Sequence, residues 1–189
     1  GLLTLHRQIE GTVSAASKLS HTEALLEHAL ATRPDDAGLL MFKADLAGDR
    51  SDFPLAIATS ERIIALPGLP VGLPGSALFS QKDVSRFLRV LWGVKQLGAA
   101  LPADRDGIMQ RVRAYRQDLA SNESQDSPRL ALADAWVAQA EEQWDKADRL
   151  LDQLERTGKV SDPDTLLLWA NVALKRGQTG KAEDRLRQA

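Results

Sequence analysis

The chain contains no cysteine. That excludes a disulfide framework and a thiolate metal site, and leaves the compartment open. Aromatic residues are few, 5% of the total, and runs of Val, Ile, Thr and Tyr that would read as strands are missing. Every apolar run is broken by Pro, Gly or charge before it is long enough to cross a bilayer. Charge of one sign is not in excess: 24 Lys and Arg stand against 26 Asp and Glu, a net −2. No global pull toward nucleic acid or anionic membrane follows. No secretory signal pattern opens the sequence, and its first residue is Gly1 rather than Met, as expected of a piece of a longer protein. What remains is rich in alanine and leucine. Such a composition suits helices packed closely against helices.

Catalytic signatures are missing as well. The sequence has no Gly-x-Ser-x-Gly, no P-loop, no Gly-x-Gly-x-x-Gly and no His-Glu-x-x-His, so no enzymatic role is expected. The three histidines are His6, His21 and His28. No metal or other cofactor is expected at them. The acidic pairs Glu141-Glu142 and Asp35-Asp36 fit helix ends and solvated faces. Charge is locally uneven. Residues 80–120 hold eight basic groups (Lys82, Arg86, Arg89, Lys95, Arg105, Arg111, Arg113, Arg116) against four acidic ones, and residues 141–162 hold seven acidic against four basic. The basic centre could meet an acidic partner, but solvated, internally paired helix faces are the simpler expectation. Nucleic acid is not expected, because stacking aromatics are not interleaved with the basic residues.

A repeat is visible instead. In residues 163–189, Leu166, Trp169, Ala170 and Ala173 share a helical face, Gly177 ends that helix, and Ala182, Leu186 and Ala189 begin a second face. The frame continues upstream: Ala135, Ala147 and Leu154 fall in register in residues 128–161, and Leu40, Ala44, Phe53, Ala56 and Ile63 in residues 37–70. Residues 3–36 fit more loosely, with Ala29 and Pro34 in place. In that frame His21 stands at a helix start. Ser127-Pro128 and Asp162-Pro163 each supply a capping residue followed by proline at the first helical position. This pattern resembles the tetratricopeptide repeat, a helix–turn–helix unit of about 34 residues. In that family small residues recur at the eighth, twentieth and twenty-seventh positions. The resemblance implies an all-α fold: a TPR-like right-handed superhelix of antiparallel helix hairpins with a divergent central hairpin.

The expected organisation is two N-terminal repeats (1–70), a Pro/Gly-rich inserted loop (71–79), a divergent hairpin and polar linker (80–127), and two C-terminal repeats (128–189). In the centre, Ser80 and Asp83 form a capping-box-like start. Val84, Phe87, Leu88, Leu91 and Trp92 make one amphipathic face, and Ile108, Val112, Tyr115 and Leu119 a second. The stretch "LPGLPVGLPG" (66–75) carries three prolines and three glycines, reading as an insertion at a repeat junction that lies against the helices.

In the resembled family the first helix of each hairpin lines a concave groove. Carried over by frame, the partner-binding positions are Arg7, Met41, Asp45, Leu132, Trp136, Gln139, Leu167, Asn171 and Leu174. Trp136 is the natural hot spot, because aromatics bury much area with few rotors. Gly11 stands where family members that clamp chaperone tails place an asparagine, so that specialisation is not implied. The expected function is a protein–protein interaction scaffold whose partner is another protein, with self-association open and no membrane insertion by this segment. The Ala/Leu/Arg-rich style looks bacterial, and for a bacterial protein the resemblance implies an envelope assembly, secretion or exopolysaccharide-export complex, periplasmic in preference to cytoplasmic. The alternatives are a polysaccharide-binding or polymer-guiding segment, which would need aromatics exposed along the groove, and a regulatory helical domain of a larger enzyme.

Overall fold

The computed structural model describes residues 15–68, 80–157 and 162–189, and side-chain environments from residue 21 onward. Arg7, Gly11 and the 71–79 insertion lie outside the described residues. Among the described residues nine α-helices run in order: α1 (Ala15–Thr32), α2 (Ala37–Asp49), α3 (Phe53–Ala65), α4 (Gln81–Ala99), α5 (Arg105–Asn122), α6 (Pro128–Ala140), α7 (Trp144–Arg156), α8 (Pro163–Lys175) and α9 (Thr179–Gln188). No strand occurs among them.

The helices pair as antiparallel hairpins α2/α3, α4/α5, α6/α7 and α8/α9, with α1 packed on α2. The first helix of each hairpin also meets the first helix of the next, in the row α2, α4, α6, α8, while each second helix reaches forward to the following hairpin. Helix packing joins each unit to its neighbours alone, as in a solenoid.

The starts are written locally. Asp36 accepts a hydrogen bond from the Leu39 amide at 3.1 Å, and Asp52 from Leu55 at 3.2 Å. Asp162 accepts from Thr165 at 2.9 Å. Each satisfies an otherwise orphaned amide. Ser80 caps α4 in the same way, and its hydroxyl donates to the Asp83 carboxylate at 2.7 Å, so the side chains close the box on each other. Ser127 occupies the cap position of α6 but makes no capping side-chain bond. That start rests on Pro128, whose ring fixes φ.

Three of the hairpin turns are the same object. Ser51, Glu142 and Gly177 have φ of 61°, 59° and 73°. The residue after each returns a hydrogen bond five residues back, Asp52 to Ala47, Gln143 to Ala138 and Gln178 to Ala173, each at 2.8 Å. This left-handed closure is natural for glycine and strained for serine or glutamate.

Alanine sets the spacing between helices. At the eighth repeat position Ala44, Ala135 and Ala170 are 1%, 0% and 2% exposed, and at the twentieth Ala56, Ala147 and Ala182 are all 0%. Their small side chains let backbones approach, and a bulky residue from the next hairpin fills the gap. Trp92 of α4 packs with Ala44, Ala47 and Ala56. Trp169 of α8 packs with Ala135, Ala138 and Ala147. The indole of Trp92 lies so close over α2 that a Cβ added at Gly48 would stand 2.5 Å from its Nε1.

The central hairpin departs from the frame by length. Its helices have 19 and 18 residues, against 13 for α2, α3, α6, α7 and α8. A 3-10 turn, Pro102–Asp104, joins them. α5 runs through Asn122, so the polar linker begins after it. The hairpin nevertheless takes a full place in both rows. No residue of α4 before Gly98 is exposed.

Two stability outcomes follow. Gly48→Ala drives a methyl into the held Trp92 ring, and urea denaturation is expected to show a loss of roughly 1–3 kcal/mol. Glu142→Gly and Ser51→Gly relieve left-handed strain, each with an expected gain of up to about 1 kcal/mol. Gly177→Ala is expected to cost a similar amount.

Candidate functional site

The repeat offset places the groove candidates in three rows. Met41, Leu132 and Leu167 correspond, as do Asp45, Trp136 and Asn171, with Gln139 and Leu174 in a third row that Gly48 begins. Met41 is half-buried against the α1–α3 core, and Leu132 is half-buried where α6 meets α7 and α8. Asp45 is exposed. Desolvation, together with the charge of Asp49 one turn on, pushes its carboxyl above the ordinary value. Trp136 is half-buried and packs against both the central cluster and the α7/α8 cluster, so part of its indole is wedge and part is surface. Gln139 and Asn171 are half-buried, and neither carboxamide is hydrogen-bonded among the described residues. Leu167 and Leu174 are 48% and 52% exposed. The fold therefore sets Asp45, Trp136 and Asn171 on equivalent outward positions of α2, α6 and α8. Leu167 stands apart, because its equivalents are covered and it is not.

The basic centre is not a free charge patch. Arg89 is paired with Asp118 at 2.6 Å and lies over the Tyr115 ring at 4.4 Å. Arg86 is paired with Asp83 at 3.1 Å. Arg116 forks onto Asp134 at 2.5 and 2.8 Å, Arg113 meets Glu141 at 2.8 Å, and Lys95 meets Asp164 at 2.9 Å. Five of the eight basic residues are thus engaged by acids. Most of these pairs run between helices rather than along one, which corrects the expectation of pairing within a helix face.

His21 does not begin a helix. α1 is already helical from Ala15, so His21 and His28 both sit within it, two turns apart and both exposed. Among the described residues no three His, Asp or Glu side chains converge as a metal site requires. The depressions are open and lined mainly by charge. One of about 500 Å³ is bordered by Glu142, Trp144, Lys146 and Arg149.

The most concentrated electrostatics lie in the C-terminal half, around Asp148, a residue that no sequence motif marks. Asp148 is 5% exposed. It accepts from the Trp169 indole N–H at 3.1 Å and from Lys181 at 2.7 Å, and it is ion-paired to Arg176. Lys181 also reaches Asp152 at 2.9 Å, and Arg185 stacks over Trp169 at 3.7 Å. One carboxylate on α7 thereby fixes the indole of α8 and cations of the last hairpin. Burial alone would raise the Asp148 carboxyl. Hydrogen bonds from Lys181 and Trp169 and the charges of Lys181 and Arg176 outweigh it and hold the group below the ordinary value. Burial would likewise lower Lys181, but Asp148 and Asp152 raise it. The arrangement is a joint between hairpins rather than a reactive site. The signal available in the sequence is an acid immediately after the buried Ala147, with cations one repeat later.

No family model matches the chain, and no curated protein does. Among solved structures it is similar to a thermophilic TPR protein of Thermus thermophilus, at 18% identity and a TM-score of 0.67, covering 99% of this chain and 89% of that one. It is also similar to a tetratricopeptide repeat protein of Parabacteroides merdae, at 12% identity and a TM-score of 0.64. That match covers 92% of this chain and 58% of the other, so this chain spans under two thirds of it. The fold is therefore the TPR-like helical repeat that the alanine positions imply.

A depressed carboxyl stabilises the fold above its unfolded value, near 4, and that stabilisation is lost as pH falls through the folded value. The raised Lys181 contributes below its ordinary value and ceases to do so only as alkaline pH passes the raised one. Unfolding monitored at far-UV wavelengths should therefore lose stability below about pH 4. Asp148→Asn should flatten that limb and cost about 1–3 kcal/mol at neutral pH.

Proposed function

We propose that the protein is a helical-repeat scaffold that holds a partner polypeptide along the outward positions of α2, α6 and α8. The observation that carries this reading is the aligned row Asp45, Trp136 and Asn171, in which the Asn171 carboxamide is unpaired, with the unpaired carboxamide of Gln139 one turn on from Trp136. A half-exposed indole offers an anchor. Two free amides suit the donors and acceptors of a peptide backbone. At the α2 end, Asp45 and Asp49 form no ion pair among the described residues, and their mutual repulsion favours a basic group on the partner. The open depressions fit a macromolecular ligand better than an enclosed small molecule. The setting we favour is bacterial, in keeping with the Ala-, Leu- and Arg-rich composition, within an envelope assembly, secretion or export complex.

A photo-crosslinking benzoylphenylalanine at position 171, and in a parallel sample at position 149 on the outer face of α7, tests the assignment in source-cell extract. A partner that crosslinks from position 171 only, and is lost with Asp45→Lys or Trp136→Ala, supports it. Equal capture from both positions, or capture indifferent to those substitutions, removes the row from the binding surface.

A further inference from the structure

The ion pair between Lys95 and Asp164 skips a hairpin. Lys95 stands in α4 and Asp164 in the first turn of α8, and the Lys95 Nζ donates to Asp164 Oδ2 at 2.9 Å. α6 packs against both of these helices, whereas α4 and α8 do not pack on each other among the described residues. The bond therefore closes a span over α6 that helix packing leaves open. By comparison, Arg116–Asp134 and Arg113–Glu141 join α5 to the adjacent hairpin, and Arg89–Asp118 joins the two helices of one hairpin.

The span crosses the slightest joint in the row of first helices. Of the successive pairs α2/α4, α4/α6 and α6/α8, the last brings its backbones together least, with the Trp169 indole packed between them. Toward α7 the last hairpin is fastened by the Trp169–Asp148 bond and by Lys181. On the outward side the fastening that reaches it from beyond α6 is the Lys95 ammonium. Asp164 precedes Leu167 by three residues and Asn171 by seven, so all three lie on one stripe of α8. The Trp136-to-Asn171 spacing thus lies on the side that this pair closes. The pair is also weak enough to open. Its side chains are 33% and 54% exposed. Such a pair favours its closed form by no more than about fivefold, and salt erodes that preference.

We infer that Lys95 and Asp164 form a latch across α6. Closed, it holds the α8/α9 hairpin in toward α4. Open, it lets that hairpin swing about the Trp169–Asp148 joint, widening the α6–α8 spacing and freeing a cation and an anion beside the Asn171 stripe. The use of this movement in partner binding rests on the role proposed above. The latch itself rests on the fold, and the experiment reads the latch without a partner.

The absence of cysteine allows nitroxide labels to be placed in chosen pairs on the whole chain. One pair is Gly98→Cys with Leu174→Cys. A side chain at position 98 meets no atom within 4 Å, and Leu174 is 52% exposed. Double electron–electron resonance should show Lys95→Met lengthening the 98–174 distance by several ångströms, with circular dichroism matching the parent. Salt at about 1 M, where the screening length is about 3 Å, should lengthen it in the parent and add nothing in Lys95→Met. Reversing the pair, Lys95→Asp with Asp164→Lys, should restore the short distance. A second label pair, Lys146→Cys with Leu174→Cys, spans the Trp169–Asp148 joint and should not move. A 98–174 distance unchanged by Lys95→Met or by salt overturns the inference. So does a lengthening that charge reversal fails to restore, or one matched by an equal change at 146–174, since the whole hairpin would then have loosened.

Discussion

Helices in this protein come as close as an alanine side chain allows, and an indole from the next hairpin occupies what is left. Ala135 and Ala147 are 0% exposed, and so is the Trp169 that packs with them. The same relation joins Trp92 to Ala44, Ala56 and the backbone over Gly48. At these two joints one large side chain fills the gap between successive units, worth about 3–5 kcal/mol by truncation in well-packed sites. The rows of first and second helices, and every surface they present, depend on that fit.

The central hairpin shows how far the rule stretches. Its helices are longer and its connection is a 3-10 turn, yet α4 still sends Trp92 back into one hairpin and receives Leu130, Ala133 and Val137 from α6 on its other side. Arginines of this hairpin, buried on most sides, take partners across helix boundaries: Arg89 with Asp118 and Tyr115, Arg116 with Asp134. Charge that in sequence looks like a basic surface is in large part mortar between units. Exposed members of such pairs add little stability. Asp148 differs because burial removes water from the competition.

The all-α architecture is legible because its cause is periodic. Small residues at the eighth and twentieth positions, a turn at Gly177 and proline at Pro128 and Pro163 are local signals, and each recurs at one repeat length. The features that escape are pairwise and non-local. Asp148 reads as one more surface acid until Trp169, Arg176 and Lys181 are brought to it. Trp136 reads as an anchor but is also a wedge, since its position between two clusters depends on how α6 sits between α4 and α8. His21 falls at a helix start only if the repeat frame extends into residues 3–36, whereas α1 runs straight through from Ala15.

Coupling through the tryptophans makes a specific statement about how the chain comes apart. In a solenoid, units with weakened interfaces open independently of the rest. Native-state hydrogen exchange on Trp92→Ala and Trp169→Ala proteins measures this directly. Trp92→Ala should release α1, α2 and α3 from the protection shared with the remainder, and Trp169→Ala should release α8 and α9 while the earlier helices keep theirs. A uniform loss of protection along the whole chain in both variants, or none in either, would contradict the assignment of the inter-hairpin joints to these two indoles.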